Sequence, residues 1–116
     1  MTFVFVEAPA CPGGPLMISE VLKHSMTLSW QPPHSDGGAS ITGYIIEKRD
    51  HMSSTWSRVE RVKSHIYSYT VTNLVPHYKY LFRIIAENSV GRSRPLEART
   101  PVEAKSPYSR ISLLFF

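Results

Sequence analysis

The chain has 116 residues, of which 42% are hydrophobic and 19% are charged, and its formal net charge at pH 7 is +4. That length fits one domain of common size, and the composition allows a packed core that needs neither metals nor disulfides. The lysines and arginines are scattered, which argues against nucleic-acid binding, and no stretch approaches the roughly 18 apolar residues of a membrane span. The single cysteine, Cys11, cannot form a disulfide within the chain, and no Asn-x-Ser/Thr motif is present, so we expect a cytoplasmic protein.

The N-terminal part of the chain predicts an irregular lead-in followed by two strands. Residues 1–15 hold three prolines and two glycines, which interrupt regular structure. A weak strand is predicted over residues 16–22. A strong strand is predicted over residues 25–31, because apolar residues that include Leu28 and Trp30 alternate with polar ones, and a pair of prolines ends it.

The middle of the chain predicts three further strands separated by turn residues. A glycine-rich turn at Asp36–Gly38 precedes a strand over residues 41–50, in which one set of side chains faces inward and the alternate set faces outward. A loop over residues 51–55 leads to a shorter and more exposed strand over residues 56–62. Alternation returns over residues 67–72, which predicts another strand with one buried face.

The longest alternating stretch covers residues 80–87 and predicts a strand with one buried face. Tyr80 stands at its start, where the ring can be buried while the hydroxyl bonds the backbone of the preceding corner, the tyrosine corner of β-sandwiches. The stretch closes at Asn88 and Gly91, which tolerate a positive φ in a turn. A last strand is predicted near residues 96–101.

About seven short strands, with no helical period over ten residues, predict an antiparallel β-sandwich. In such a fold the inward side chains form the core, and large aromatic residues remove the most apolar area from water. We predict that the core consists of Leu28, Trp30, Tyr44, Ile46, Tyr69, Val71, Leu74, Tyr80, Phe82 and Ile84.

Six motifs follow one another in the sequence, namely Leu28–Pro33, Asp36–Gly38, Ile41–Arg49, Trp56, Tyr69–Leu74 and Tyr80–Gly91. Taken together in their order and spacing, they resemble a fibronectin type III domain over roughly residues 9 to 105. Within that family the chain is most similar to the modules of titin-like giant muscle proteins.

The resemblance implies a seven-strand immunoglobulin-like sandwich that serves as a structural and protein-interaction module of the sarcomere. Such a module is a spacer, an elastic element and a docking surface, and its partners are neighbouring immunoglobulin-like or fibronectin type III modules and sarcomeric filament proteins. We expect the isolated domain to be a monomer. The expected division is an N-terminal extension over residues 1–8, the domain over residues 9–105 and a C-terminal tail over residues 106–116.

Two alternatives to this role stay open at this point. An extracellular receptor or cell-adhesion domain would be supported by a signal peptide, glycosylation motifs or paired cysteines, none of which the sequence contains. A regulatory module beside a kinase domain could be recognised only from flanking sequence.

Catalytic, cofactor-binding and metal sites are not expected. The five histidines show no short ligand spacing, and nothing around Cys11 marks its thiolate as stabilised. The outward side chains of two neighbouring strands instead predict an exposed apolar and basic face for protein docking. It would consist of Ile45, Glu47, Arg49, Leu81, Arg83 and Ile85. The alternative is an ordinary surface, since scattered exposed apolar residues are normal and only a contiguous patch is informative.

Overall fold

A computed structural model describes residues 5–108 as two antiparallel β-sheets packed face to face. The strands are β1 (Gly13–Ser19), β2 (Met26–Gln31), β3 (Gly43–Asp50), β4 (Ser57–Lys63), β5 (Ser68–Val71), β6 (Lys79–Glu87), β7 (Leu96–Glu97) and β8 (Val102–Glu103). Within this range no helix is long and apolar enough to cross a membrane. The prediction of an antiparallel β-sandwich is confirmed.

The two sheets differ in size and share no strand. One sheet has the order β1-β2-β5, and the other has the order β4-β3-β6-β7, with β8 also paired to β6. The longest ladder joins β3 and β6, running from Gly43 opposite Glu87 to Asp50 opposite Tyr80. β3 and β6 therefore form the centre of the larger sheet, with β4 at one edge.

The core lies between the sheets and consists of the inward-facing side chains of their strands. Trp30 on β2 contacts Tyr44 on β3 edge to face, with ring centroids 5.7 Å apart, and such pairs are favoured by the ring quadrupoles. All the predicted core residues are buried except Tyr69, which is partly buried and packs against the core. The core also includes Leu16, Met26, Ala86 and Ala104.

The tyrosine corner is present where the chain turns from β5 into β6. The backbone N–H of Val75 donates a hydrogen bond of 2.9 Å to the Tyr80 hydroxyl. The Tyr80 ring is 5% exposed, so the side chain is buried while its polar atom is satisfied. This bond fixes the corner against the start of the longest strand.

The predicted first and last strands differ from the observed ones. β1 begins at Gly13 rather than at residue 16, because the register shifts between Gly13 and Met17 and a bulge accommodates the intervening residues. Pro15 is tolerated there because β1 lies at a sheet edge. The last strand, predicted near residues 96–101, is limited to β7, and the short strand β8 follows it, so eight strands occur among the described residues rather than seven.

A candidate protein-docking face and the pole beside it

The six residues predicted to form a docking face lie on the outer surface of the larger sheet. Cross-strand register places Ile45 opposite Ile85, Glu47 opposite Arg83, and Arg49 opposite Leu81. Directly opposed residues of an antiparallel pair share one face of the sheet. The alternation of the sequence therefore assigned all six side chains to the same surface.

The predicted exposure of the two isoleucines is wrong. Ile45 is 1% exposed and Ile85 is 8% exposed, although neither belongs to the core between the sheets. Arg61 on β4 lies opposite Ile45, and its guanidinium approaches Gly43 and bonds Glu87 on β6 at 3.0 Å. The long arginine stem thus crosses β3 and shields apolar surface while the charge stays near solvent.

A stack of two arginines on Trp56 forms the centre of the exposed part of this face. The Arg49 guanidinium carbon lies 5.2 Å from the Trp56 ring centroid, and that of Arg83 lies 4.3 Å from it. Arg83 Nε donates to Glu47 Oε1 at 2.7 Å, and Arg83 Nη1 lies 4.0 Å from Glu97 Oε1. The cation–π contacts and the charged hydrogen bond hold these half-buried side chains in place.

The sequence analysis did not predict the contacts of Trp56, which it used as the start of a strand and as one of the fibronectin type III motifs. In the structure Trp56 precedes β4 and contacts arginines from β3 and β6. One sequence feature could have indicated these contacts. Trp56 starts a polar strand, and the two neighbouring strands carry outward-facing arginines.

A second charged cluster lies at the other end of the same face, around Glu87. Arg61 Nε lies 3.0 Å from Glu87 Oε1, and Arg92 Nε lies 3.1 Å from Glu87 Oε2. The hydrogen bond from Arg92, together with that from Arg61, lowers the pKa of the Glu87 carboxyl despite the opposing effect of desolvation.

Glu87→Gln is expected to reduce stability more at neutral pH than at acid pH. A carboxyl whose pKa is lower in the folded chain stabilises that chain fully above its unfolded pKa, and this contribution disappears as the pH falls through the folded pKa. We expect a loss of about 1 kcal/mol at pH 7, as for partly exposed ion pairs, and a smaller loss at about pH 3, which lies below the ordinary pKa of a glutamate. Urea unfolding of both proteins at the two pH values measures it, and an equal loss at both would contradict the assignment.

Asn88 joins three segments at the pole where β6 ends. Its side-chain Nδ2 donates to the carbonyl oxygens of Glu7 at 2.7 Å and Asp36 at 2.8 Å, while Oδ1 accepts from the backbone N–H of Val90 at 2.9 Å and of Gly91 at 3.0 Å. Asn88 is 4% exposed, and among residues 5–108 it is the one polar residue that is buried. One amide therefore ties the N-terminal segment and two loops together.

The turn at this pole does not use the positive φ that Asn88 and Gly91 would tolerate. Within residues 5–108, positive φ angles occur at other positions, namely Glu20, Gly37, Gly38, Asn73 and His77. Asn88 acts through its side chain instead. At Gly37, with φ of 79°, an added Cβ would clash with the carbonyl oxygen of Glu7, so glycine is required there.

The segment before residue 9 is hydrogen-bonded to the body of the domain where it is described. The Glu7 N–H donates to the Gly37 carbonyl oxygen at 2.9 Å, and the Ala10 N–H donates to that of Ser35 at 3.0 Å. Residues 5–8 thus contact the sandwich, although the sequence assigned them to an extension. The predicted boundaries at residues 9 and 105 stay a prediction, and the ends of the predicted extension and tail lie outside the described residues.

Two surface grooves among the described residues contain no recognisable catalytic arrangement. One groove of about 560 Å³ separates β1 from the β7–β8 region, and another of about 510 Å³ lies beside His51 and His77. In residues 5–108 no group of three or more His, Cys, Asp and Glu side chains could hold a metal ion. Burial raises the pKa of the Cys11 thiol, which disfavours the nucleophilic thiolate.

The family described as "Fibronectin type III domain" matches residues 10–102 of this chain, which is most of its length. The chain belongs to the fibronectin type III family. This fibronectin type III domain is 40% identical over 87 residues to titin of Drosophila melanogaster, which covers 75% of the chain. It is 33% identical over 109 residues to the cardiac-type myosin-binding protein C of Homo sapiens, which covers 94% of the chain.

A crystal structure of consecutive titin domains shares the fold of this fibronectin type III domain. The TM-score is 0.78 at 39% sequence identity, over 85% of this chain and 33% of that one. The matched part is a small fraction of the curated relatives, amounting to 8% of the human myosin-binding protein C and rounding to 0% of the fly titin. The similarity is therefore to single modules of much longer proteins.

Proposed function

We propose that this fibronectin type III domain is a non-catalytic structural and protein-interaction module of a giant sarcomeric, titin-like protein. The observation that carries the proposal is the 40% identity to titin over 75% of the chain, in a family of β-sandwich modules. The proposed roles are spacer, elastic element and docking surface, and the proposed location is the cytoplasmic sarcomere. Its partners would be neighbouring immunoglobulin-like or fibronectin type III modules and filament proteins.

The path of the chain through the sandwich supports the role of a spacer. The N-terminal segment contacts Asn88 at the end of β6, whereas Ala104 bonds Tyr78 and His77 beside the start of that strand. β6 has nine residues, so its ends lie about 26 Å apart at a rise of about 3.3 Å per residue. A module with this geometry separates its neighbours by its own length, and an axial load shears the ladders of the first and last strands.

The outer face of the larger sheet supports the role of a docking surface in a form that differs from the first expectation. Ile45 and Ile85 are buried beneath this surface, whereas Leu81 is half-buried, so the accessible side chains are mostly polar and aromatic. They include Glu47, Arg49 and Arg83 of the predicted set, together with Trp56.

Expression of the tagged 116-residue chain in striated muscle cells tests the proposed role. We expect a striped distribution that repeats once per sarcomere, because a docking module retains its filament contacts when it is separated from its array. A Trp30→Ala variant, which loses a core side chain, is the folding control and should give a diffuse signal. A diffuse distribution of the intact chain, or its accumulation outside the sarcomere, would contradict the proposal.

A further inference from the structure

We propose that the surface around Trp56 binds an Asp/Glu-rich segment of a partner protein, and that Arg49 and Arg58 contact the carboxylates of that segment. This inference rests on the proposed function, since it names the chemistry of the partner that the docking surface takes. The sequence suggested a basic and apolar face, whereas the structure buries its two isoleucines, leaves Leu81 half-buried and places arginines around a tryptophan.

Most of the net charge of the chain lies on this one face. Register places seven cations on the outer surface of the larger sheet, namely Arg49, Arg58, Arg61, Lys63, Lys79, Arg83 and Arg92. The same surface carries four carboxylates, namely Glu47, Glu87, Glu97 and Glu103. Its net charge is therefore +3, out of +4 for all 116 residues. Such an excess attracts acidic partners and raises their association rate.

The positive charge is not neutralised evenly across the face. Glu87 is shared by Arg61 and Arg92, and Arg83 is bonded to Glu47. Within residues 5–108, Arg49 and Arg58 have no carboxylate partner within 4.0 Å. Two unpaired guanidinium groups thus remain near Trp56.

The unpaired Arg49 is held in a conformation that suits an incoming carboxylate. It stacks on Trp56, and its Nη1 donates to the Ser53 carbonyl oxygen, which leaves most of its five N–H donors available. A planar guanidinium that is already ordered against a ring loses less entropy on binding than a free side chain. Arg58 lies opposite Glu47 on the neighbouring strand, which places a second cation on the same side of the sheet.

Spaced carboxylates fit this face better than a nucleic-acid backbone does. Glu47 and Glu97 lie among the arginines and would repel a continuous row of phosphates. An Asp/Glu-rich segment can place carboxylates on Arg49 and Arg58 and leave neutral residues beside Glu47. Trp56, which is half-buried, offers apolar area to the stems of those residues.

The test titrates the 116-residue chain with a twelve-residue peptide of alternating Glu and Ser, and with the matched peptide of alternating Gln and Ser. The indole N–H resonances of the two tryptophans report the site, because Trp56 lies on the docking face and Trp30 is 2% exposed in the core. We expect the Glu peptide to shift the Trp56 resonance and to leave that of Trp30 unchanged. The Gln peptide should shift neither resonance.

Two double variants with the same change in net charge make the test specific. Arg49→Gln with Arg58→Gln should weaken binding of the Glu peptide about tenfold or more, as expected for lost charged contacts. Arg94→Gln with Arg99→Gln removes two exposed arginines from elsewhere and should change it less than about twofold. Equal weakening in both variants, no shift of Trp56, or tighter binding of an RNA oligonucleotide at the same site would overturn the proposal.

The outcomes separate this inference from the proposed function. If the Glu peptide fails to bind while the tagged chain still forms sarcomeric stripes, the partner chemistry is wrong and the module role stands. If the peptide binds at Trp56 but the chain does not localise to the sarcomere, the proposed binding site for acidic segments is supported and the proposed cellular role is wrong.

Discussion

Trp30→Ala is expected to lower the free energy of unfolding by about 3–5 kcal/mol, the range for truncation of a buried large aromatic. Trp30 is 2% exposed on the central strand of the smaller sheet and contacts the Tyr44 ring of the opposite sheet. Its removal leaves a cavity between two sheets that cannot both move inward. For a domain whose total stability is about 5–15 kcal/mol, such a loss is severe.

Trp30→Phe is the matched control for this experiment. It keeps an aromatic ring against Tyr44, and it removes an indole N–H that is buried without a partner among the described residues. The lost apolar area and the removed unsatisfied donor act in opposite directions, so we expect a loss below about 1.5 kcal/mol. Urea unfolding followed by circular dichroism measures both variants, and a loss under about 1 kcal/mol for Trp30→Ala would mean that Trp30 is not in the core.

Asn88→Ala is expected to lower the free energy of unfolding by about 1–3 kcal/mol, because it removes the hydrogen bonds of a buried amide to four partly buried backbone groups. The affected groups are the carbonyl oxygens of Glu7 and Asp36 and the N–H groups of Val90 and Gly91. Urea unfolding measures the total cost. Amide hydrogen exchange shows which segment is released, since the Glu7 N–H is bonded to Gly37.

Asn88→Asp separates the hydrogen bonds that this side chain accepts from those that it donates. A carboxylate still accepts from the Val90 and Gly91 N–H groups but can no longer donate to the carbonyl oxygen of Glu7. We expect Val90 and Gly91 to keep their protection from exchange, while the Glu7 amide exchanges faster in both Asn88 variants. Unchanged exchange at Glu7 would show that the N-terminal segment is held without Asn88.

The central strands could be predicted from the sequence because their signal is local. Residues two apart in β2 and β6 share a face, so alternation alone identified the buried set that includes Leu28, Trp30 and Phe82. The first strand had a weaker signal, because its one proline and two glycines were interpreted as an irregular lead-in. The bulge that admits them depends on pairing with β2, which no single segment shows.

The candidate docking face was predicted in part for the same reason. Alternation correctly placed Ile45 and Ile85 away from the core, but it could not show that both are buried or that Arg61 reaches across β3 to Glu87. Parity tells which side of a sheet a residue faces and not what covers that side. Coverage depends on side chains that are 26 residues apart for Arg61 and Glu87 and 36 apart for Glu47 and Arg83.

By itself, the sequence determined the class of fold, most of the core side chains on the central strands and the turn at Asp36–Gly38, because alternation, large apolar residues and glycines act within a few positions. Only the tertiary structure showed that Trp56 contacts two arginines and that Asn88 donates a hydrogen bond to Glu7, which lies 81 residues away in the sequence. Those contacts follow from cross-strand register and from the meeting of loops at one pole. Neither is encoded in the period of any one strand, since both arise only when distant segments pack together.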